Sequence, residues 1–296
     1  MSKKPLTRDE QFLAKAAGDD VPMPKPRTRA QEFLKRIVER LSGSVTEETL
    51  SNAIAPLNAS IAQLSRKTIQ FRHGKGTFTA TANGTNITWQ YGGQKAQGSN
   101  CTFDVKSDNG LICMGFDSIA SLSIKNDTTN KMDLSDLGGK IANVLSLEGC
   151  TNITGDLSDL CGKITSSLNL SGCPNITGDL SDLGGKITNW LSLKGCPNIT
   201  GDLSDLGGKI TSVLNLGYCS NITGVYSGTK YPKTFTVSKT SITAADMDAN
   251  LINFAASGVK SGKFSASGMK RTAASDDAVA TLVANGWTVS GLTKES

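Results

Sequence analysis

DLSDLGGKITNWLSLKGCPNITG, residues 179–201, is one of four near-identical 23-residue units that run end to end over 133–155, 156–178, 179–201 and 202–224. The shared text is D-L-S-D-L-x-G-K-I-x-x-x-L-x-L-x-x-C-x-N-I-T-G. Self-similarity at a fixed period in this range marks an array of stacked units, not one large core. The residues of a single unit say how the array is built. Alternate side chains of a strand face opposite ways, so Leu145 and Leu147 point inward, and Cys150 and Ile153 close the corner that follows. Asp156 caps the next turn, Leu157 and Leu160 of that turn face in, and Gly162 lets the backbone reverse. The DLSDLGG segment is too short and Gly-rich for a full helix, so one helical or 3₁₀ turn is expected. One unit alone leaves apolar edges that only its neighbours can cover. Stacking places Leu, Ile, Cys and Asn in columns, with strands roughly 4.8 Å apart. The amides of Asn152, Asn175, Asn198 and Asn221 are expected to satisfy corner backbone groups.

Within each unit, the phrase L-x-L-x-x-C-x-N-I (Leu145, Leu147, Cys150 and Ile153; then Leu168, Leu170, Cys173 and Ile176) resembles the leucine-rich repeat in its cysteine-containing variant. The resemblance covers about a third of the chain. It implies a mainly β fold built on a leucine-rich-repeat-like solenoid, with the return segment shorter than a full helix.

The positions that differ between copies alternate with the invariant leucines, so they share the outward face. They are Val144/Ser167/Trp190/Val213, Ser146/Asn169/Ser192/Asn215 and Glu148/Ser171/Lys194/Gly217. A constant scaffold under a varying face is how a binding surface on a rigid support looks. Simple drift of solvent-facing positions gives the same pattern, since surface substitutions usually cost little. Trp190 favours binding, because an exposed Trp is a common anchor for sugars or proteins. The candidate ligand-binding face is therefore Val144, Ser146, Glu148, Ser167, Asn169, Ser171, Trp190, Ser192, Lys194, Val213 and Asn215.

Around the repeats the 296 residues leave room for further modules, and 38% hydrophobic content suits a soluble protein. No window approaches 18 apolar residues and no signal peptide opens the chain, so no membrane insertion is expected, and the protein starts in a cytoplasm. Residues 1–43 carry ten Lys/Arg against six Asp/Glu. Two similar stretches there, TRDEQFLAKA (7–16) and TRAQEFLKRI (28–37), each open on a capping Thr. Phe12, Leu13, Phe33, Leu34 and Ile37 lie on their apolar stripes and are the candidate anchoring residues. A polyproline-like link, VPMPKP, joins the two. Two short amphipathic helices bury too little to fold alone, so 1–43 reads as a docking segment that orders on a partner. Its mixed charges and scarce aromatics argue against nucleic acid. The arrangement is similar to the N-termini of structural proteins from bacteriophages and prophages of gut bacteria, which implies attachment to other virion proteins.

Residues 44–66 read as a stem. Leu50, Ile54, Leu57, Ile61 and Leu64 step by 4, 3, 4 and 3, a short coiled-coil seam for oligomerisation. Ile at a and Leu at d lean toward a dimer, while fibres of this type are commonly trimers, and an amphipathic helix packed on 33–41 fits as well. Pro56, on the outer side, would kink it. Residues 67–117 alternate in the β manner at Ile69 and Phe71; Phe78, Ala80 and Ala82; Ile87, Trp89 and Tyr91; Phe103 and Val105, and read as a small β module. The solenoid spans 118–243, with Leu122 and Ile124 already in phase as a capping coil. Degenerate repeats fill 244–296: a helix over 244–256, a strand at 264–266, a helix over 275–284, and a strand at 287–289 whose Trp287 covers the open end. The phrase DDAVATLVANGWTV (276–289) resembles the endings of bacterial and phage leucine-rich surface proteins.

Candidate chemistry is thin. The columns Asp133/156/179/202 and Asp136/159/182/205 suit Ca²⁺ between units, but caps on a tight turn, offset by Lys140/163/186/209, account for them more simply. The N-I-T triplets match glycosylation acceptors, yet a repeated corner Asn produces them anyway. Seven cysteines, four in the repeat column, read as reduced buried thiols. A lone histidine, His73, and the absence of a nucleophile set or phosphate loop argue against an enzyme, a metal site or a cofactor. The expectation is a non-enzymatic virion fibre, anchored by its N-terminus, homo-oligomeric, and presenting the varying face to a host-surface glycan or protein. A purely structural head or tail fibre or decoration protein without ligand is the first alternative. A bacterial surface adhesin is the second.

Overall fold

The computed structural model describes residues 55–56, 68–160 and 163–295. These are mainly β, with few helices and with parallel sheets. The anchoring residues Phe12, Leu13, Phe33, Leu34 and Ile37 lie outside the described residues, as do the oligomerisation residues Leu50, Ile54, Leu57, Ile61 and Leu64.

Ahead of the repeats come β1 (Thr68–His73), β2 (Gly76–Thr85), β3 (Thr88–Tyr91), β4 (Gln94–Gln97), β5 (Asn100–Val105), β6 (Gly110–Gly115) and β7 (Ser118–Ser123). Each 23-residue unit then supplies two short strands. They are β8 (Val144–Ser146) and β9 (Gly155–Asp156), β10 (Ser167–Asn169) and β11 (Ile176–Asp179), β12 (Trp190–Ser192) and β13 (Ile199–Asp202), and β14 (Val213–Asn215) and β15 (Asn221–Thr223). The chain continues through β16 (Thr234–Thr236), α1 (Ala244–Ala256), β17 (Lys263–Arg271), α2 (Asp276–Ala284) and β18 (Thr288–Lys294).

Strand pairing follows the sequence period. Leu168 lies opposite Leu145 on one side and Leu191 on the other, and both ladders are parallel. Among the described residues this sheet has ten strands in the order β18-β17-β16-β14-β12-β10-β8-β7-β2-β5. A second parallel row, β15-β13-β11-β9, forms at the corners. It was not expected, because I-T-G-D has one apolar residue and no alternation to mark a strand. Between the rows, Leu145, Leu147, Cys150, Ile153 and their equivalents are 0% exposed. Burying each Leu or Ile contributes about 1.5–3 kcal/mol.

The return segments are 3₁₀ turns over Leu134–Asp136, Leu157–Leu160, Leu180–Leu183 and Leu203–Leu206. Their caps explain both Asp columns. Asp179 Oδ1 accepts from Ser181 N at 3.0 Å, and Asp182 Oδ2 accepts from Asp179 N at 2.8 Å, a capping box repeated at Asp133 and Asp202. The other oxygen of Asp179 accepts from Thr200 Oγ1 at 2.8 Å, and Asp156 does the same for Thr177 at 2.9 Å. The expected offset by lysine takes another form: Lys140 Nζ donates to the Asp136 carbonyl at 2.9 Å, since the carboxylate already serves the cap. Bonds from the Ser181 and Ser158 backbone N–H groups hold Asp179 and Asp156 below the usual carboxylate range, and the Ser135 hydroxyl does so for Asp133. A depressed carboxylate stabilises the fold above its unfolded pKa and loses that contribution as pH falls through the folded one. Melting temperature is therefore expected to drop as pH falls below about 4, the ordinary carboxylate value. Asp179→Ala should cost about 1 kcal/mol at neutral pH and flatten that drop; an unchanged denaturation midpoint would show that the cap adds nothing.

Columns of side-chain bonds tie each unit to the one before it. Asn175, Asn198 and Asn221 donate through Nδ2 to the carbonyls of Thr151, Pro174 and Pro197 at 2.9 Å, as the corner chemistry predicts. Cys173, Cys196 and Cys219 donate to the carbonyls of Leu147, Leu170 and Leu193 at 3.0, 3.1 and 2.9 Å. The described cysteines are free.

The boundary expected at 117/118 does not divide the structure. β2 pairs antiparallel with both β5 and β7, so part of 67–117 belongs to the ten-stranded sheet. The exposed edge of β7 needs partners for its N–H and C=O groups, and β2 supplies them. The remaining strands form an antiparallel sheet, β1-β6-β3-β4, with Phe71, Phe78 and Trp89 in its core. His73, buried here, sits 3.0 Å from Asp127 Oδ2 through Nε2 and shares that nitrogen with the Thr129 hydroxyl.

At the other end α1 falls where expected, with Thr243 as its cap. The strand at 264–266 is longer, Lys263–Arg271, and the final strand begins after Trp287. Trp287 does not cover the open end. It is 3% exposed, donates to the Val259 carbonyl at 2.7 Å and stands edge-on to Phe254, leaving β18 as the outer edge.

Candidate functional site

Val144 and Ser146 and their equivalents flank a buried leucine in β8, β10, β12 and β14, while Glu148, Ser171 and Lys194 lie two residues past the strand ends. Val144, Ser146 and Glu148, Ser167, Asn169 and Ser171, and Val213 and Asn215 are half-buried, while Trp190 and Lys194 are exposed. Ser192 departs from the expectation of an outward, open position. It is 3% exposed at the floor of the face, with its hydroxyl 2.6 Å from that of Ser171. Ser146 Oγ is also buried, without a hydrogen-bond partner.

Trp190 is 40% exposed, whereas Trp89 and Trp287 are 1% and 3% exposed, so the strand geometry rather than composition puts this indole in water. Next to it lies an open depression of about 500 Å³ lined by Glu148, Asn169, Ser171, Trp190, Lys194 and Asn215. Its polar groups are preset. Asn169 Oδ1 accepts from Ser171 N at 3.1 Å and Asn215 Oδ1 accepts from Gly217 N at 3.2 Å, which fixes both amides. Asn169 Nδ2 reaches Glu148 Oε2 at 3.4 Å, and Glu148 also faces Lys125 at 3.8 Å.

Gly149, Gly172 and Gly195 also line this depression, with φ of 73, 74 and 74°. Each N–H donates to the carbonyl one rung on: Gly149 to Ser171, Gly172 to Lys194, Gly195 to Gly217. The next member of the column is Tyr218, whose N–H donates to Ser238 O and whose φ is 65°. A bulky side chain in the left-handed region costs on the order of 1 kcal/mol, and the other three copies avoid it with glycine. Tyr218 is 57% exposed, so burial does not offset that strain. Sequence reading missed this residue. The signal was the Gly149, Gly172, Gly195, Tyr218 series itself, which the consensus hid as an unspecified position.

Among the described residues, no group of three or more His, Cys, Asp or Glu side chains could hold a metal ion, and no helix is long and apolar enough to cross a membrane. Comparison of the chain with protein families, curated proteins and solved structures finds no match.

Proposed function

We propose that the chain is a non-enzymatic virion fibre protein of a bacteriophage or prophage of gut bacteria. In this reading its stacked units are a leucine-rich-repeat-like solenoid that presents the Trp190 face to a host-surface glycan or protein. Residues 1–43 dock on other virion proteins, 44–66 assemble a dimer or trimer, and several copies acting together make weak sites effective. The observation that carries the reading is an indole 40% exposed on a sheet face whose inward leucines are 0% exposed. A rigid support with a protruding aromatic suits recognition better than chemistry.

The test is labelling of host cells by the full-length protein. Wild-type chain is expected to label them, and Trp190→Ala to reduce labelling about tenfold or more, the usual effect of removing a central aromatic. Equal labelling by both would remove Trp190 from the site. If the chain enters particles but labels no cell, the fibre is a structural head or tail element without a ligand.

A further inference from the structure

We infer that the Trp190 face is an oligosaccharide-binding trench and that Tyr218 is its second aromatic platform, an assignment that rests on the binding reading above. Four features point to a sugar chain. First, the floor along one side is a glycine column, Gly149, Gly172 and Gly195, over which a ligand approaches backbone directly. Second, two aromatic side chains are exposed here: Trp190, 40%, lines the depression, and Tyr218, 57%, continues the glycine column one rung beyond Gly195. Sugar rings present a flat C–H face that packs on an aromatic ring, and Tyr and Trp leave a polar tip free for a hydroxyl. Trp190 pairs with Val213, and Tyr218 lies five residues after Val213, past the end of β14, so the two are less than about 20 Å apart along this path. That length suits a short chain of sugars rather than one ring.

Third, the groups lining the depression beside Trp190 are mostly neutral amides and hydroxyls: Asn169, Asn215, Ser171 and Ser192. The amide oxygens are already committed to backbone N–H groups, so Asn215 presents its NH₂ as a donor to a ligand hydroxyl. Fourth, the charges lining the trench, Glu148 and Lys194, are opposite in sign, which disfavours a polyanion such as nucleic acid. Tyr218 holds the left-handed position of this column, as Gly149, Gly172 and Gly195 do before it and Asn126 (φ 53°) and Lys239 (φ 58°) do at the flanking rungs, so the column places its ring next to Gly195.

Tyr218→Gly separates binding from folding. The variant restores the residue of the other three copies, so its melting temperature is expected to rise by about 2 °C. Binding of the full-length chain to a panel of gut-bacterial capsular and O-antigen polysaccharides, and to the intact cells, is expected to weaken about tenfold. Periodate oxidation of the cells should abolish labelling. Adding a bound polysaccharide should protect the exposed indole from acrylamide quenching, an effect absent in Trp190→Ala. Labelling that survives periodate but not protease treatment of the cells would overturn the sugar assignment while leaving host binding intact. Loss of periodate-sensitive labelling in Trp190→Ala but not in Tyr218→Gly would overturn the role of Tyr218. No labelling by the wild-type chain would overturn both this inference and the binding reading.

Discussion

Gly201→Ala is expected to destabilise the protein by about 3 kcal/mol, more than a typical surface change by several-fold. Gly201 has φ of 121°, and a methyl group there would stand 2.8 Å from Leu180 N and 2.9 Å from Leu180 Cβ. The first of these is backbone, so the unit must shift against its neighbour or the ladder must open. Unfavourable φ contributes roughly 1–3 kcal/mol and overpacking a further 1–3. Gly155 and Gly178 meet Leu134 and Leu157 in the same way, which is why the repeat ends on glycine. Gly258→Ala is the control. Its φ is 72° but nothing lies within 4 Å, so only the backbone term applies, about 1 kcal/mol. Equilibrium denaturation of the two variants separates the effects. Equal losses would show that the units do not approach as closely as described.

Alkaline unfolding is the second large effect. Burial pushes the thiols of Cys173 and Cys196 up to about 12 and those of Cys150 and Cys219 to about 11. Cys101 follows, at about 12. A thiol raised in the fold stays protonated there after it has ionised in the unfolded chain. Its contribution is therefore complete below about pH 9 and is lost as pH rises toward the folded value. Near pH 11 each of these groups removes about 2 kcal/mol, and together they approach the 5–15 kcal/mol that a domain typically has. The fold is expected to be lost between about pH 10 and pH 11, followed by circular dichroism. Cys196→Ala should be less stable at pH 7 by about 1 kcal/mol, because it removes the bond to Leu170 O, yet lose less on going to pH 10.5. A fold intact at pH 12 would be incompatible with a buried thiol column.

What the sequence revealed depended on repetition. Leu145 and Leu147 declare their inward face because Leu168 and Leu170, Leu191 and Leu193, and Leu214 and Leu216 repeat it. The same redundancy made the Asn amides and the capping aspartates readable, and the register of the parallel strands follows the period. Where repetition stops, legibility falls. The strand β4, Gln94–Gln97, has no apolar alternation, and in β6 the run Leu111, Ile112, Cys113, Met114 hides which side is inward, although only Ile112 and Met114 are fully buried. The join of β2 to β7 is a pairing between distant segments, which no local pattern records. At the candidate site, Trp190 was readable from alternation alone. Ser192 was not, since its burial comes from neighbouring side chains, and Tyr218 was not, since its meaning lies in a dihedral angle.

The bonds between units are all short in reach. Asn amides touch the corner 24 residues back, thiols the carbonyl 26 residues back, and the glycines the leucine 21 residues back. No unit holds any but its immediate neighbours by these contacts. A duplication of 23 residues would therefore insert one more complete rung without disturbing the rest, lengthening the ten-stranded sheet by about 4.8 Å. The reach of this protein is thus a quantity that whole-unit insertion or deletion changes in steps of one rung.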